Sequence, residues 1–310
     1  AVENTLLILL LVLAIGLMIP ELFKKFRIPL ITLIILAGSI TGPKGLNYVT
    51  VDETISFFGF LGMAFLMFMA GLETDITKLS KSKYKIAMMA FLNGAIPFTV
   101  GLLITKFFGY SWTVSFLIGI VFISSSVAVI VSTLKSNKSI SHEVAQLILS
   151  SVMLTDIVSL IALGFIFQST SKITALPLPL YFIVLILSIV SLFIILPALS
   201  KKIMQRKLSK DDGSERQLRF VIIVLVSVIL YFSALGAHPI LAAFLAGLSL
   251  SSVIITNKQN RLLTKLHTMG YGLFIPVFFF VVGMEMDVSL LREFDIRNIL
   301  MISLILGLIF

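Results

Sequence analysis

The chain has 310 residues, of which 58% are hydrophobic and 13% are charged, and its mean hydropathy is +1.12. Soluble domains carry about 25% charged residues, so this composition excludes an ordinary soluble protein. The net charge is +9, and the chain has no cysteine, which excludes a disulfide scaffold, a thiol nucleophile and cysteine-ligated zinc or iron–sulfur centres.

The predicted elements are membrane-spanning helices, because about 20 apolar residues cross a bilayer core of about 30 Å. The run 220–257 is too long for one crossing and contains Gly236-Ala237-His238-Pro239, so we predict two helices that meet there. In chain order, the predicted spans are 4–20, 28–43, 54–72, 86–105, 107–134, 144–171, 173–200, the two halves of 220–257, 266–284, and a run that begins near Asn298. The predicted class is an all-α polytopic membrane protein with ten full helices and a truncated eleventh.

Lysine and arginine are unevenly divided between the loops. Nineteen lie in loops that follow odd-numbered spans, and five lie in loops that follow even-numbered spans. Because cytoplasmic loops are enriched in these residues, we predict that the odd-numbered loops are cytoplasmic and the N-terminus is outside. The expected location is the inner or plasma membrane of a prokaryotic cell. The basic excess is therefore a topology signal, and no basic patch interleaved with aromatic residues indicates nucleic-acid binding.

Two segments of the chain, 71–79 and 283–291, match each other with the pattern Gly-x-Glu-x-Asp near their starts. A weaker match pairs Pro29 and Gly38 with Pro239 and Gly247. Both matches join spans that are seven apart, and an odd offset predicts an inverted repeat, a design found in many secondary transporters. The alternative is that Gly-x-Glu-x-Asp merely ends helices. If the repeat holds, spans four to six correspond to spans eleven to thirteen. The chain stops within span eleven, so we expect it to be incomplete at its C-terminal end, without the counterparts of spans five and six.

Asp156 is the one acidic residue in the middle of a predicted span. A carboxylate at the bilayer centre costs about 2.5–3.5 kcal/mol on insertion scales, so such residues usually face an aqueous cavity and serve function. Ser151, Thr155 and Ser159 lie nearby, and Ser159 at i+3 is predicted to share the face of Asp156. Hydroxyl oxygens suit a partly dehydrated alkali cation. The alternative is a protonated aspartate that bonds to a neighbouring helix.

The fifth span carries three consecutive serines near its midpoint: Ser124, Ser125 and Ser126. Serine hydroxyls compete for backbone hydrogen bonds and favour an interruption of the helix. An interrupted helix at this depth is tolerated where it lines a cavity or is buried, and it presents backbone groups to an ion. The alternative is an unbroken helix whose hydroxyls bond back to the preceding turn. Pro97 and Pro276 are predicted to kink their helices.

Four stretches carry a resemblance to a known family, and they run in matching order over nearly the whole chain. They are FMAGLETD at 68–75, FISSSVAV at 122–129, LTDIV at 154–158 and FFVVGMEMD at 279–287. The sequence resembles the Kef-like branch of the monovalent cation:proton antiporters, which have the NhaA-type inverted-repeat fold. One position departs from the family pattern: the residue before the aspartate is usually Asn, Asp or Gln, and here it is Thr155.

The resemblance implies thirteen helices, a homodimer, and a mobile core bundle that moves against a scaffold. It assigns ion binding to Asp156 and Thr155, with the unwound serine stretch alongside. The implied division is scaffold spans one to three at 1–84, core spans four to six at 85–171, a linker span and cytoplasmic loop at 172–219, scaffold spans eight to ten at 220–296, and the start of a second core bundle at 297–310. Kef proteins often carry a C-terminal dinucleotide-binding regulatory domain, and one is a candidate partner outside this chain.

The expected function is exchange of K⁺ or Na⁺ for H⁺, with Asp156 binding either the proton or the cation. One carboxylate and no mid-span Lys or Arg favour electroneutral exchange, and no cofactor is expected. The alternative is a gated cation channel or leak on the same fold. An intramembrane hydrolase is disfavoured, because aspartyl or metal chemistry needs paired or clustered ligands. His142, His238 and His267 lie near span ends, and His142 and His267 are candidates for pH sensing.

Overall fold

In the computed structural model, the described residues are 2–22, 30–73, 83–123, 141–170, 178–204, 212–254, 260–286 and 296–309. Within these ranges the secondary structure is helical, with short turns between helices. The helices are α1 (Val2–Leu22), α2 (Leu30–Thr41), α3 (Glu53–Glu73), α4 (Lys83–Phe107), α5 (Trp112–Ile123), α6 (His142–Thr170), α7 (Leu178–Met204), α8 (Asp212–Ala234), α9 (Pro239–Ile254), α10 (Asn260–Met269), α11 (Ile275–Glu285) and α12 (Ile296–Ile309). A π-helical turn, Gly270–Phe274, joins α10 to α11.

Many of these helices are apolar along their length. Within the described ranges, six stretches are long and apolar enough to cross a membrane: Glu53–Glu73, Lys83–Phe107, Glu143–Leu163, Leu180–Ile203, Glu215–Ala234 and Leu262–Glu285. Shorter apolar helices accompany them, among them Glu3–Met18 and Pro239–Ile254. The protein is therefore a multi-pass membrane protein, and each predicted span contains a helix within its described part.

The predicted break inside 220–257 is confirmed. α8 ends at Ala234 and α9 begins at Pro239. Gly236 has φ +82°, a left-handed backbone conformation that glycine adopts without strain. Proline suits the first position of a helix because its missing N–H would have no partner there.

One predicted boundary was wrong. The fifth span was predicted to begin at 107, but α4 continues to Phe107 and α5 begins only at Trp112. Gly109, with φ +87°, lies in the turn between them, and a turn with few polar residues does not interrupt an apolar run. Within the predicted linker span and loop at 172–219, α7 extends to Met204 and α8 begins at Asp212. Arg219 and Glu215, one helical turn apart, form an exposed ion pair at 3.3 Å.

The tenth span contains a π-helical turn rather than a simple proline kink. The amide of Ile275 donates to the carbonyl of Gly270, five residues earlier. Pro276 has no N–H, and in a regular α-helix its ring would collide with the carbonyl of Gly272. The wider π-helical turn spaces these groups further apart and so accommodates the proline.

The chain divides into two compact units. Unit 1 comprises Ala1–Glu73, Ser191–Ile229 and Ala243–Phe294. Its apolar core includes Ile8 of α1, Ile34 of α2, Ile55 of α3 and Phe280 of α11, none of which is more than 1% exposed.

Two close helix crossings in unit 1 depend on glycine. A Cβ added at Gly71 of α3 would lie 2.1 Å from the carbonyl oxygen of Phe244, and one at Gly247 of α9 would lie 2.0 Å from that of Phe68. The crossing of α2 and α11 has the same construction. A Cβ at Gly38 would lie 2.2 Å from the carbonyl oxygen of Phe280, and one at Gly283 would lie 2.1 Å from that of Ile35. In all four cases the carbonyl belongs to the residue three positions before the partner glycine.

Unit 2 comprises Thr74–Val190, Leu230–Ala242 and Asp295–Phe310. Here α4 packs closely on α5, where a Cβ added at Gly101 would lie 3.2 Å from the Cα of Gly119. α4 also packs on α6, and Gly94 faces the methyl group of Thr155. Small residues on α4 therefore allow α6 to approach its backbone.

Three long-range contacts join helix ends within a unit. The Asn4 amide donates to the carbonyl of Thr50 at 2.8 Å. The Tyr110 hydroxyl donates to the Asn298 side chain, 188 residues away. His267 contacts Glu73 at 3.1 Å. Each contact pairs ends that the count of basic residues places on one side of the membrane.

Candidate ion-binding site

Asp156 lies near the middle of α6, which is continuous from His142 to Thr170. Its side chain is partly buried, and its backbone carbonyl accepts a hydrogen bond from the Ser159 hydroxyl at 2.8 Å. The sequence prediction that this carboxylate stands in the middle of an apolar helix is therefore confirmed by the extent of α6. A carboxylate in the middle of a long apolar helix is costly to place in a bilayer, and such residues commonly line ion pathways.

Three hydroxyl groups form a buried row on α6. Ser151, Thr155 and Ser159 are spaced four residues apart and are 3%, 3% and 6% exposed. Residues four apart lie on the same face of an α-helix. Thr155 and Ser159 therefore lie together on the buried face of α6. Asp156 borders this row and is more exposed than its members.

Each hydroxyl in the row donates a hydrogen bond to a backbone carbonyl of α6. Ser151 donates to Ile148 O and Thr155 to Ser151 O, both at 2.8 Å, and Ser159 donates to Asp156 O. A hydroxyl has one proton and two acceptor lone pairs. These three oxygens therefore have lone pairs available to a cation but no second proton for a carboxylate.

Thr155 also contacts α4. Its hydroxyl lies 3.4 Å from the carbonyl oxygen of Ala90, and its methyl group would lie 3.3 Å from a Cβ added at Gly94. A larger residue at position 94 would push against Thr155. The threonine that departs from the family pattern is thus fitted between its own helix and α4.

A cavity of about 940 Å³ opens beside this contact in unit 2. It is mostly apolar, and its lining includes Ala90, Gly94, Phe98, Phe116, Thr155 and Val158. Thr155 therefore connects the row of hydroxyls to the cavity.

The serine stretch Ser124, Ser125 and Ser126 lies outside the described residues. The described part of α5 ends at Ile123, directly before it, and Ile123 lines the same cavity as Thr155. The predicted interruption of this helix therefore remains a prediction.

A second polar cluster lies in unit 1, and its contacts were not predicted from the sequence. His267 Nε2 lies 3.1 Å from Glu73 Oε1, and the two side chains are 49% and 48% exposed. The His267 ring stacks on Tyr271, with centroids 4.5 Å apart and planes 21° apart. Within the described ranges, no group of three or more His, Asp or Glu side chains is placed to hold a metal ion.

The family assignment comes from comparison with known proteins. The family described as "Sodium/hydrogen exchanger, transmembrane" matches residues 8–310. The chain belongs to this sodium/hydrogen exchanger family.

Two relatives and one solved structure illustrate the range of similarity. The chain is 32% identical over 295 residues to Probable Na(+)/H(+) antiporter 3 of Methanocaldococcus jannaschii, which covers 95% of this chain and 75% of the relative. It is 30% identical to Putative Na(+)/H(+) antiporter YjbQ of Bacillus subtilis, over 96% of this chain and 50% of the relative. The sodium proton antiporter MjNhaP1 from M. jannaschii has the same fold, with a TM-score of 0.73 at 18% identity over 99% of this chain and 77% of that one.

The expected Kef-like branch is supported only in part. The potassium-efflux protein KefC of Salmonella paratyphi B is 26% identical over 275 residues, covering 87% of this chain and 43% of KefC. The two relatives above, at higher identity, are named as Na⁺/H⁺ antiporters. The comparisons therefore establish the exchanger family and leave the branch open.

Proposed function

We propose that this member of the exchanger family is a secondary transporter that exchanges Na⁺ or K⁺ for H⁺. Two relatives are named as Na⁺/H⁺ antiporters and a third as a potassium-efflux protein, which supports this class of function and argues against an enzyme. The single observation that carries the proposal is Asp156, a carboxylate midway along a membrane-spanning helix and next to three hydroxyl oxygens with free lone pairs.

Asp156 is the proposed shared site for proton and cation. An ionised carboxylate attracts a cation, and protonation removes that charge, so the two ligands exclude each other. The hydroxyls of Thr155 and Ser159 add oxygen ligands, and Ser124, Ser125 and Ser126 are proposed to add others. Because one carboxylate exchanges one charge for one charge, the proposed stoichiometry is electroneutral.

The proposed transport cycle is alternating access on an inverted repeat. The two glycine crossings of unit 1 support the repeat, because Gly71 matches Gly283 and Gly38 matches Gly247 in sequence. The α3–α9 crossing then corresponds to the α11–α2 crossing, with the same contacts in each. The core at 85–171 is proposed to move against the scaffold at 1–84 and 220–296, in a homodimer with its N-terminus outside the cell.

Transport in proteoliposomes tests the proposal. We expect cation-dependent pH changes with Na⁺ or K⁺, and none in Asp156→Asn. Asp52→Asn is the matched control, because this carboxylate lies outside the long apolar helices and its loss should leave exchange intact. Full exchange by Asp156→Asn would refute the assigned site. Cation flux without proton movement would indicate a channel instead, and a membrane potential generated by exchange would refute electroneutrality.

A further inference from the structure

Asn93 is a polar residue inside the apolar helix α4. Between Lys85 and Lys106 this helix carries no charge, and Asn93 is the one carboxamide in that stretch. Its side chain is exposed on the surface of the described structure. An amide that faced lipid at this depth would give up its hydrogen bonds to water, so such side chains usually bond to another helix or face an ion pathway. Asn93 therefore requires a polar partner inside the membrane.

Position 93 also offers a backbone oxygen. In an α-helix each carbonyl accepts a hydrogen bond from the N–H group four residues later. For Asn93 that residue is Pro97, which lies inside α4 and has no N–H to donate. The helix therefore leaves the Asn93 carbonyl without its usual donor. Backbone carbonyls of this kind bind alkali cations in channels and transporters.

The contact between α4 and α6 determines which way Asn93 faces. The Thr155 hydroxyl of α6 lies 3.4 Å from the carbonyl oxygen of Ala90, and its methyl group lies 3.3 Å from the Cβ position of Gly94. The two helices form the fourth and sixth spans, so they run in the same direction across the membrane. Each residue turns a helix by about 100°. Between parallel helices, the residue that follows a contact on one helix and the residue that precedes it on the other therefore lie on the same side.

The apolar cavity occupies one side of this contact. Ala95 follows the contact on α4 and Leu154 precedes it on α6, and both residues line the cavity. Asn93 precedes the contact on α4 and Asp156 follows it on α6, so these two residues share the other side. Neither is among the described residues that line the cavity. The carboxamide and the carboxylate are thus placed at the same level of the two helices, away from the apolar cavity.

A carboxamide adds what the row of hydroxyls on α6 does not give. Each of those hydroxyls donates its single proton to a backbone carbonyl of α6. An ionised carboxylate only accepts hydrogen bonds, whereas a carboxamide carries two N–H donors and an acceptor oxygen. One side chain at position 93 can therefore donate to the carboxylate of Asp156 and present an oxygen to a cation that the carboxylate binds.

From these observations we propose that Asn93 is a ligand of the transported cation and a hydrogen-bond partner of Asp156, supplied from α4. This inference rests on the proposed function, in which Asp156 binds the cation. The side-chain oxygen of Asn93 coordinates the ion from the side opposite the apolar cavity, and its N–H groups orient the carboxylate. The cation site is thus built from two helices.

Thermal unfolding of the full chain in detergent tests this role without relying on transport. A ligand that binds the folded chain raises its Tm, so Na⁺ and K⁺ are titrated separately at constant ionic strength. We expect a cation-dependent rise in Tm that is lost in Asp156→Asn. Asn93→Leu removes the carboxamide at similar size and should need about tenfold more cation for the same rise. Asn93→Gln keeps a carboxamide and should need less cation than Asn93→Leu.

The matched control is Thr99→Val, which removes the hydroxyl of another exposed residue of α4. Thr99 lies nine residues after Ala90, about 180° around the helix from the contact with α6, so its cation dependence should stay native. If Asn93 only helps the helices to pack, Asn93→Leu will change the Tm without cation and leave the cation dependence unaltered. That result, an equal shift in Thr99→Val, or no cation dependence in the native chain would overturn the assignment.

Cross-linking tests the placement of the two side chains directly. The chain has no cysteine, so Asn93→Cys combined with Asp156→Cys can be treated with a short bifunctional thiol reagent. This pair should cross-link, whereas Ala95→Cys combined with Asp156→Cys should not, because Ala95 lines the cavity on the other side. The reverse result would place Asn93 away from Asp156 and overturn the inference.

The outcomes separate this inference from the proposed function. If the native chain shows no exchange in proteoliposomes but its cation-dependent Tm needs both Asp156 and Asn93, the transport function is refuted and the two-helix cation site stands. If Asn93→Leu exchanges ions with native cation affinity, the role of Asn93 is refuted and the transport function stands.

Discussion

Gly71 and Gly247 each face the backbone of the other's helix. A Cβ on Gly71 would lie 2.1 Å from the carbonyl oxygen of Phe244, and a Cβ on Gly247 would lie 2.0 Å from that of Phe68. Real Cβ atoms do not approach backbone oxygens so closely, so α3 and α9 can cross at this distance only because both residues lack a side chain. The same relationship between Gly38 and Gly283 brings α2 against α11.

Substitution at these crossings should destabilise the protein. Gly71→Ala and Gly247→Ala should each lower the free energy of unfolding by about 1–3 kcal/mol, because the added methyl group forces a backbone shift in a packed interior. Thermal unfolding in detergent measures the effect. Gly16→Ala and Gly307→Ala are controls: nothing lies within 4 Å of a Cβ there, so stability should stay the same or rise, as expected for alanine in a helix. Equal effects at Gly16 and Gly71 would contradict the close crossing.

Two substitutions within one crossing should be energetically coupled, whereas two substitutions in different crossings should not. Gly71→Ala and Gly247→Ala push the same two helices apart, so their combined cost should be less than the sum. Gly71→Ala combined with Gly283→Ala affects two separate crossings, and its costs should add within about 0.5 kcal/mol. Additivity in the first pair would show that the two glycines do not share one contact.

The Thr155 hydroxyl should matter for cation affinity more than for folding. Thr155→Val keeps the shape of the side chain and removes the oxygen that lies between Ser151 O and Ala90 O. If this oxygen is a cation ligand, the apparent affinity for the transported cation should fall about tenfold, or about 1.4 kcal/mol. Thr155→Ser keeps the oxygen and should retain affinity. Cation titration of exchange in proteoliposomes measures both, and equal affinities in the two variants would remove Thr155 from the site.

His238 lies in the turn before α9 and should contribute to a loss of stability of the folded state on acidification. Its Nδ1 accepts the amide of Ile240 at 3.4 Å, and burial lowers the pKa of the imidazole. The folded state therefore takes up this proton less readily than the unfolded state. The resulting stability is present above the unfolded value of about 6.5 and is lost as the pH falls through the lower folded pKa. His238→Asn keeps an acceptor that does not titrate, so its thermal stability should fall less between pH 7 and pH 5. An identical fall would contradict the prediction.

The π-helical turn should depend on Pro276. Pro276→Ala supplies an N–H that can donate to Gly272 O, so the turn should revert to a regular α-helix. A π-helical turn contains one residue more than an α-helical turn. Its conversion to α-helix therefore rotates α10 by about 100° relative to α11 and carries His267 away from Glu73. The chain has no cysteine, so cysteines at 73 and 267 can be joined by a short bifunctional thiol reagent. Cross-linking should drop in Pro276→Ala and persist in Pro97→Ala. Undiminished cross-linking in Pro276→Ala would show that the turn does not need the proline.

Much of the fold follows from local patterns in the sequence. Hydropathy locates the helices, and the pair Gly236 and Pro239 marks the break because each restricts the backbone in a known way. Pro276 was recognised as a disturbance, but whether a helix bends or widens at a proline depends on what packs against it. α5 begins later than predicted because the turn at Gly109 lies within a nearly uncharged stretch.

The candidate site was predictable to the extent that it lies on one helix. Asp156 stands out as a carboxylate in an apolar run, and the four-residue spacing of Ser151, Thr155 and Ser159 places them on one face. The contact of Thr155 with Ala90 depends on how α4 packs, and no local pattern encodes it. Glu73 and His267 are 194 residues apart, so the count of basic residues predicts their side of the membrane but not their contact.

The enclosure of α9 affects how this protein should respond to the thickness of its bilayer. α9 has 16 residues, about 24 Å of helix, and residues 241–250 are all buried. Because protein rather than lipid surrounds it, its ends need not match the hydrocarbon boundary. α7 is the opposite case: its most apolar part is only 11% buried inside the protein, and its 27 residues measure about 40 Å. α7 should therefore tilt when its apolar length exceeds the thickness of the hydrocarbon core. The short α9 should keep its orientation, because it has little contact with lipid.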